Sequence, residues 1–517
     1  MSQTLSDSLA KITKGTSIAF IGYLVSTLLG FISRPLIVRC GTEADYGVFS
    51  LALAILTICG GIATLGLLQA APRSIAYARG KNDREKVQKL ISASIQLGLI
   101  AGISLGIVVF FTSDIIAGKI FHDANLGFPL KVFALGIPIS ALISVLVSLF
   151  QGFDDVKPTA YFQYISRSLL LLLFVLPVFF LKLPFTGVYY VYLASLVISC
   201  VLLFVYAIKR LPFAIKFRTG LGSNPVAKEL LLFSLPLLGM AMLGLIIISA
   251  DTFMLGGLKG SAEVGLYNAA RPLADVIAAP LPALGLIYLP VASGLYAQGA
   301  MSELRRNFSV LTKWLVSATL PLFLVLFLFP ETVLNFLFGA GYIAAAPALR
   351  ILSLGLIIGN FFGPVGGTLV VIGEVRFLMW VYLAAALLSV GLNFALIPPL
   401  GVEGAAVAFV AVQAFINLTY CRKLHGLTRA HPLSKNLLKP ALASLTLVFL
   451  FQFIFRNLVT VVWWMLPLLF ILYYLIYGLA ILLTKSFDQE DIAMLLAIEK
   501  RAGMNLTFAK KIVRRFL

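Results

Sequence analysis

"FISRPLIVRCGTEADYGVFSLA", residues 31–52, closes one apolar run, crosses a short acidic break and opens another. "IISADTFMLGGLKGSAEVGLYNAA", residues 247–270, does the same. The first restarts at Tyr46-Gly47-Val48-Phe49-Ser50 and the second at Val264-Gly265-Leu266-Tyr267-Asn268. Further along, "LFQGFDDVKPTAYF" (149–162) lines up with "LVVIGEVRFLMW" (369–380). The two halves are offset by about 217 residues. The chain therefore reads as an internal repeat, and such a repeat constrains the fold more than any single segment.

The repeated material is apolar. Of 517 residues, 60% are hydrophobic and 12% charged, about half the charged share of a soluble domain. Long apolar runs follow one another from Ser17 to Thr484. In lipid only helices and closed barrels satisfy their backbone, and no alternating ten-residue pattern of a barrel is present. The fold class is thus all-α and polytopic. The polar N-terminus and a first run of spanning length predict no cleavable signal peptide.

A window of about twenty residues, matched to a hydrocarbon core of about 30 Å, gives fourteen spans. They are 16–38, 47–70, 89–112, 128–150, 160–181, 187–207, 230–256, 264–290, 309–330, 345–371, 375–397, 402–421, 440–459 and 461–484. With both termini inside, the inside segments hold 30 Lys and Arg and the outside segments seven. This asymmetry follows the positive-inside rule. The net charge of +19 is then mostly topology, and nucleic acid is not an expected partner.

Six spans per half is an even number, so both halves share one orientation. That predicts two parallel six-helix lobes related by a pseudo-twofold along the membrane normal, as in transporters. The expected organisation is an N-lobe at 1–220, a C-lobe at 221–425, two further spans at 426–484, and a cytoplasmic tail at 485–517. In the tail, "NLTFAKKIVRRFL" spaces Phe508, Ile512 and Phe516 among basic residues. That spacing suits a helix lying on anionic lipid, and a disordered basic tail is the alternative. Helix breakers fall at Pro35, Pro236, Pro272, Pro280, Pro282 and Pro290, and at "GPVGG" (363–367).

Cys40, Cys59, Cys200 and Cys421 match no metal spacing or disulfide framework, and they read as small apolar residues. His122, His425 and His431 all fall in loops or at edges. No nucleophile–base set or phosphate-cradling glycine loop appears, so catalysis, a cofactor and a metal are not expected. Intramembrane charge is the remaining functional signal, because a charge at bilayer depth costs at least about 2.5–3.5 kcal/mol on insertion scales.

Three stretches carry a family resemblance. "RPLIVRCGTEADYGVFSLALAI" (34–55), "DTFMLGGLKGSAEVGLYNAARPLADVI" (251–277) and above all "LNFALIPPLGVEGAAVAFV" (392–410) resemble the Wzx-type polysaccharide flippases of the MOP exporter superfamily. The resemblance covers nearly the whole chain. It implies a two-lobe core of twelve spans in the cell membrane. It also implies movement of a polyprenyl- or dolichyl-linked saccharide from the cytoplasmic to the outer leaflet. The implied partners are that lipid-linked oligosaccharide, membrane lipids, a coupling Na+ or H+, and glycan assembly enzymes.

The head group of such a substrate carries a phosphate or diphosphate, which arginine binds through paired hydrogen bonds. Arg34 in span 1 and Arg271 at the start of span 8 match the placement of cavity arginines in similar flippases. Arg167 in span 5 and Arg350 at the outer end of span 10 are further phosphate candidates. For each, snorkelling or internal pairing is the alternative. Arg73 and Arg79 follow span 2, where either phosphate contact or loop topology explains them.

Two carboxylates join them. Arg271 and Asp275 are spaced i, i+4 and share a helix face. Asp251 has three readings: a partner for Arg34 or Arg271, a site for a coupling cation or proton, or a cap for its helix end. In similar flippases a sodium site lies among spans 7, 11 and 12, which adds Asn393 to Asp251 as an oxygen donor. A hard cation wants more oxygens than these two. Competing functions are a MATE-type drug or metabolite antiporter, a membrane-embedded glycosyltransferase, and a non-transporting scaffold.

Overall fold

The computed structural model describes residues 2–212, 225–431, 438–457 and 465–483. The predicted basic tail helix lies outside them. Regular structure among the described residues is entirely helical. Nine helices there are long and apolar enough to cross a membrane, or ten if one bent pair counts as a single span. The chain is a multi-pass membrane protein.

The chain divides into two compact units. One comprises Met1–Asn268 with Asn393–Gly401, the other Ala269–Leu392 with Val402–Leu517.

In the first unit the helices are α1 (Ser2–Val38), α2 (Glu43–Ala63), α3 (Leu67–Gly80), α4 (Arg84–Ile115), α5 (Gly127–Ala134), α6 (Gly136–Gln151), α7 (Arg167–Phe180), α8 (Thr186–Arg210) and α9 (Pro225–Leu258), followed by the first half of α10 (Ser261–Asp275). Local chemistry sets the starts. Thr42 Oγ1 accepts from the Asp45 amide at 3.2 Å while Asp45 Oδ2 accepts from the Thr42 amide at 2.9 Å. This capping box opens α2. Asp83 caps α4 through its side chain alone, accepting from the Lys86 amide at 2.9 Å.

The predicted span 47–70 is not one helix. It breaks at Thr64–Gly66, where Gly66 has φ +75°. A Cβ on Gly66 would lie 2.2 Å from the Ser234 carbonyl oxygen of α9. Glycine is required there twice over, for the left-handed backbone and for the close approach. The predicted span 128–150 is likewise bent, by 42° between α5 and α6.

The starts of α2 and α10 cross backbone to backbone. A Cβ on Gly47 would lie 1.7 Å from the Ser261 carbonyl oxygen, and a Cβ on Gly265 would lie 1.9 Å from that of Glu43. The contact is reciprocal. Gly47 and Gly265 are 218 residues apart, and so are Glu43 and Ser261. The stretches that defined the repeat thus meet across a local twofold relation. Tyr46 Oη adds a hydrogen bond to the Asn268 carbonyl at 3.3 Å.

The second unit holds the rest of α10 with α11 (Pro280–Ala297), α12 (Met301–Leu328), α13 (Pro330–Phe338), α14 (Ala346–Phe361), α15 (Val365–Ile372), α17 (Leu438–Asn457), α18 (Met465–Leu483) and most of α16 (Val375–Thr428). The predicted span 264–290 breaks between α10 and α11, and Pro280 starts α11, where its missing N–H costs nothing. Buried Asn360 of α14 satisfies the break. Its Nδ2 donates to the Ile277 carbonyl at 2.8 Å and lies 3.0 Å from Thr319 Oγ1 of α12. "GPVGG" marks a second break, between α14 and α15. In α16 two helices meet at a kink at the boundary expected between 397 and 402, where Gly401 is non-helical (φ 55°, ψ −129°) after Pro398 and Pro399. Tyr477 Oη of α18 donates to the Ser317 carbonyl of α12 at 2.9 Å, so the last described helix is seated on this unit.

Candidate functional site

Asp251 lies seven residues before the end of α9 and is 1% exposed. Both its oxygens accept hydrogen bonds from other helices. Tyr267 Oη of α10 donates to Oδ2 at 2.5 Å, and Asn393 Nδ2 of α16 donates to Oδ1 at 3.0 Å. Tyr267 and Asn393 are themselves buried. One residue on, Asn268 Nδ2 donates to Thr252 Oγ1 at 3.1 Å. Two polar rungs therefore join α9 to α10, and a third bond brings in the α16 segment of the same unit.

Burying a carboxylate is tolerable only when it is paired and hydrogen-bonded. Here a hydroxyl and an amide N–H aim at it, and such short, charge-assisted bonds are the strong kind. The oxygens of Asp251 reach helices other than its own, α10 and α16. Asn393, expected as an oxygen donor, presents its amide N–H. Among the described residues no cluster of three or more His, Cys, Asp or Glu is placed to hold a metal ion. At Asp251 the Tyr267 hydroxyl and the Asn393 amide N–H are placed as donors to the carboxylate.

Arg34, also in the first unit, presents the opposite case. It is half-buried on α1, one residue before the helix-interior Pro35. Its Nη1 is shielded from solvent, and no described residue accepts from it. Leaving a charged donor in that state costs more than leaving a neutral one.

The other arginines are engaged. Arg167 follows a π-helical turn at Thr159–Ser166, where wider winding redirects side chains. Its Nη2 donates to the hydroxyl of Tyr192, and its guanidinium lies 5.4 Å from that ring's centre. In the second unit Arg271 Nε donates to Asp275 Oδ1 at 3.0 Å, the i, i+4 pair expected from the sequence. The same guanidinium stacks 3.6 Å from the Phe409 ring centre. Arg350 Nη2 reaches both Glu331 oxygens, at 2.8 and 3.0 Å, while its Nε donates to the Phe327 carbonyl at 3.1 Å. The donors of Arg350 are spent on fixing α13 and α12 against α14.

Sequence reasoning missed the partners: Tyr267, Tyr192, Glu331 and Phe409. Glu331 had a usable signal, a lone acid among apolar residues at a span end. Tyr267 had a weaker one, since a buried tyrosine hydroxyl needs a partner.

The sequence of the polysaccharide biosynthesis protein family matches residues 12–293, more than half of the chain. The MatE family matches residues 236–395. The chain is 24% identical over 433 residues to Stage V sporulation protein B of Bacillus subtilis, covering 79% of this chain and 82% of that one. It is 24% identical over 429 residues to the capsular polysaccharide biosynthesis protein CapF of Staphylococcus aureus, covering 79% and 98% respectively. The lipid II flippase MurJ, solved in an inward closed conformation, shares the fold. The TM-score is 0.69 at 14% identity, over 89% of this chain and 96% of that one.

Proposed function

We propose that this chain, which belongs to the polysaccharide biosynthesis protein family, is a flippase of the MOP superfamily. Its substrate is a polyprenyl- or dolichyl-linked oligosaccharide, moved from the cytoplasmic to the outer leaflet of the cell membrane. The reading keeps the fourteen-span, N-in and C-in topology, and it gives the protein a transport role, not a catalytic one. The observation that carries it is Arg34. A guanidinium nitrogen shielded within an apolar helix and left without a protein acceptor is placed to receive an anion, and the substrate's phosphate is the anion a lipid-linked glycan brings.

Arg271 is the second phosphate contact. Its guanidinium face stacks on Phe409 and its Nε bonds to Asp275, which fixes the planar fork that suits phosphate. Arg167 and Arg350, whose donors are engaged by protein, play supporting roles. Asp251 is a fixed negative charge that holds α9, α10 and the α16 segment of the same unit together.

The test is transport in proteoliposomes. A fluorescent polyprenyl-diphosphate oligosaccharide is loaded on one leaflet, and its arrival on the other is read by an impermeant enzyme that cleaves the sugar. Wild type accelerates the exchange; Arg34→Ala and Arg271→Ala each slow it at least about tenfold, as loss of a charge-assisted bond to phosphate requires. Wild-type vesicles that move no lipid-linked glycan would sink the proposal. The MatE match over residues 236–395 favours a second reading, a drug antiporter. Gradient-driven uptake of an organic cation by the same vesicles, without glycan movement, would select it.

A further inference from the structure

Helix α3 carries two arginines with different surroundings. Arg79 is committed to the protein. Its Nη1 donates to the Gly152 carbonyl at 2.8 Å and pairs with Asp154 at 3.3 Å, and its guanidinium lies 4.8 Å from the Phe153 ring centre. Arg73 lies six residues earlier on the same helix. It is exposed, and the partner described for it is the Phe233 ring, 4.6 Å below its guanidinium. Stacking uses the face of the guanidinium and leaves its in-plane N–H donors free.

Tyr77 and Lys81 continue that face at i+4 and i+8. The Lys81 ammonium sits 4.6 Å from the Tyr77 ring centre, and the tyrosine remains 63% exposed. Gln69, one turn before Arg73, is exposed too. Helix α3 has no acidic residue, so nothing on it neutralises the face. Loop topology accounts for the positive charge there. It does not account for an aromatic ring under one cation and another ring beside the next.

We propose that the α3 face formed by Arg73, Tyr77 and Lys81 is the docking site for the substrate head group on the cytoplasmic side. Arg73 and Lys81 take the phosphate or diphosphate, and Tyr77 packs against the adjoining sugar. This deepens the flippase reading and rests on it. The physical division of labour is clear. A planar guanidinium, held flat by Phe233, matches phosphate oxygens two at a time. An exposed aromatic face, negative by its quadrupole, suits the C–H groups of a sugar. Together they recognise a glycan next to a phosphate, which an ordinary phospholipid does not supply.

Binding to the full-length protein in detergent, measured by native mass spectrometry, tests this with three probes. They are a polyprenyl diphosphate bearing a disaccharide, the same polyprenyl diphosphate without sugar, and phosphatidylglycerol. Arg73→Ala weakens both diphosphate probes about tenfold or more and leaves phosphatidylglycerol unchanged, while Arg73→Lys restores part of the loss. Tyr77→Ala weakens only the glycosylated probe, and Tyr77→Phe binds it as wild type does. Folding of each variant is verified by its thermal midpoint, and Arg73→Lys guards against a merely structural effect.

Unchanged binding in Arg73→Ala and Tyr77→Ala, with Arg34→Ala impaired, overturns the docking site and leaves the flippase reading intact. An equal loss of phosphatidylglycerol assigns the face to bulk membrane lipid and overturns the site as well. Failure of wild type to bind either diphosphate overturns the flippase reading itself.

Discussion

Arg34 and Asp251 lie beside corresponding places in the two repeats, 217 residues apart, and their surroundings are opposite. The arginine leaves Nη1 shielded and without an acceptor. The aspartate has a hydroxyl on one oxygen and an amide on the other. A few residues on, the two stretches become equivalent again, at Gly47 and Gly265, each pressed on the other's partner carbonyl. The repeat therefore keeps its backbone and inverts its charge. Backbone equivalence serves the fold, because a close helix crossing needs glycine on both sides. In the flippase reading proposed above, charge inversion serves substrate binding, because a symmetric pair of carboxylates would leave nothing for an anion.

The backbone half of that comparison breaks first. Valine at position 47 or 265 places carbon within 2 Å of a carbonyl oxygen, and backbone cannot move aside as a side chain does. Each substitution is expected to cost about 4 kcal/mol or more, beyond the usual 1–3 for an overpacked core, and to abolish a monodisperse peak in gel filtration. Gly239→Ala in α9, with open space around it, is the control and is expected to stabilise by up to about 1 kcal/mol. If Gly47→Val and Gly265→Val melt at the wild-type temperature, the crossing is not as described and the local twofold relation goes with it.

The carboxylate half comes next. Asp251→Ala leaves the Tyr267 hydroxyl and the Asn393 amide buried without their acceptor, at about 1–3 kcal/mol per group. A fall in stability of about 2–4 kcal/mol is expected from urea or thermal unfolding in detergent. Asp251→Asn keeps one acceptor oxygen and is expected to lose about half as much. Tyr267→Phe removes one bond only and is expected to cost about 1–2 kcal/mol. Equal stability of Asp251→Ala and wild type would mean that the rungs between α9 and α10 contribute nothing to the unit.

Much of this frame was legible in the sequence. Apolar runs located the helices, since burial in lipid demands little beyond length and hydropathy. The boundary between the runs 375–397 and 402–421 bracketed the kink of α16 at Gly401. The Arg271–Asp275 pair followed from helical spacing alone. The break at Thr64–Gly66 did not, because hydropathy is blind to the sign of φ; the break before Pro280 fell at a proline already counted among the helix breakers. The Asn393–Asp251 bond, which closes a separation of 142 residues, was reached through the family resemblance, which had paired the two as oxygen donors. Spacing rules reach one helix, and only packing chooses partners between helices. Arg73 and Arg79 are the same lesson in small: one helix, six residues apart, and only the neighbours tell a structural arginine from an available one.

The smallest expected change in stability sharpens the comparison most. Arg34→Met keeps the length and apolar stem of the side chain and removes the charge. Replacing a poorly paired buried charge by an apolar group of similar size is often neutral or stabilising, so the thermal midpoint is expected to move by no more than about 1 kcal/mol in equivalent terms. Glycan transport is expected to collapse all the same. Asp251→Ala predicts the reverse order, a large loss of stability with transport lost only as far as folded protein is lost. If Arg34→Met instead unfolds the protein as Asp251→Ala does, the arginine is holding the structure together. The two repeats would then differ in the sign of their charge but not in its use.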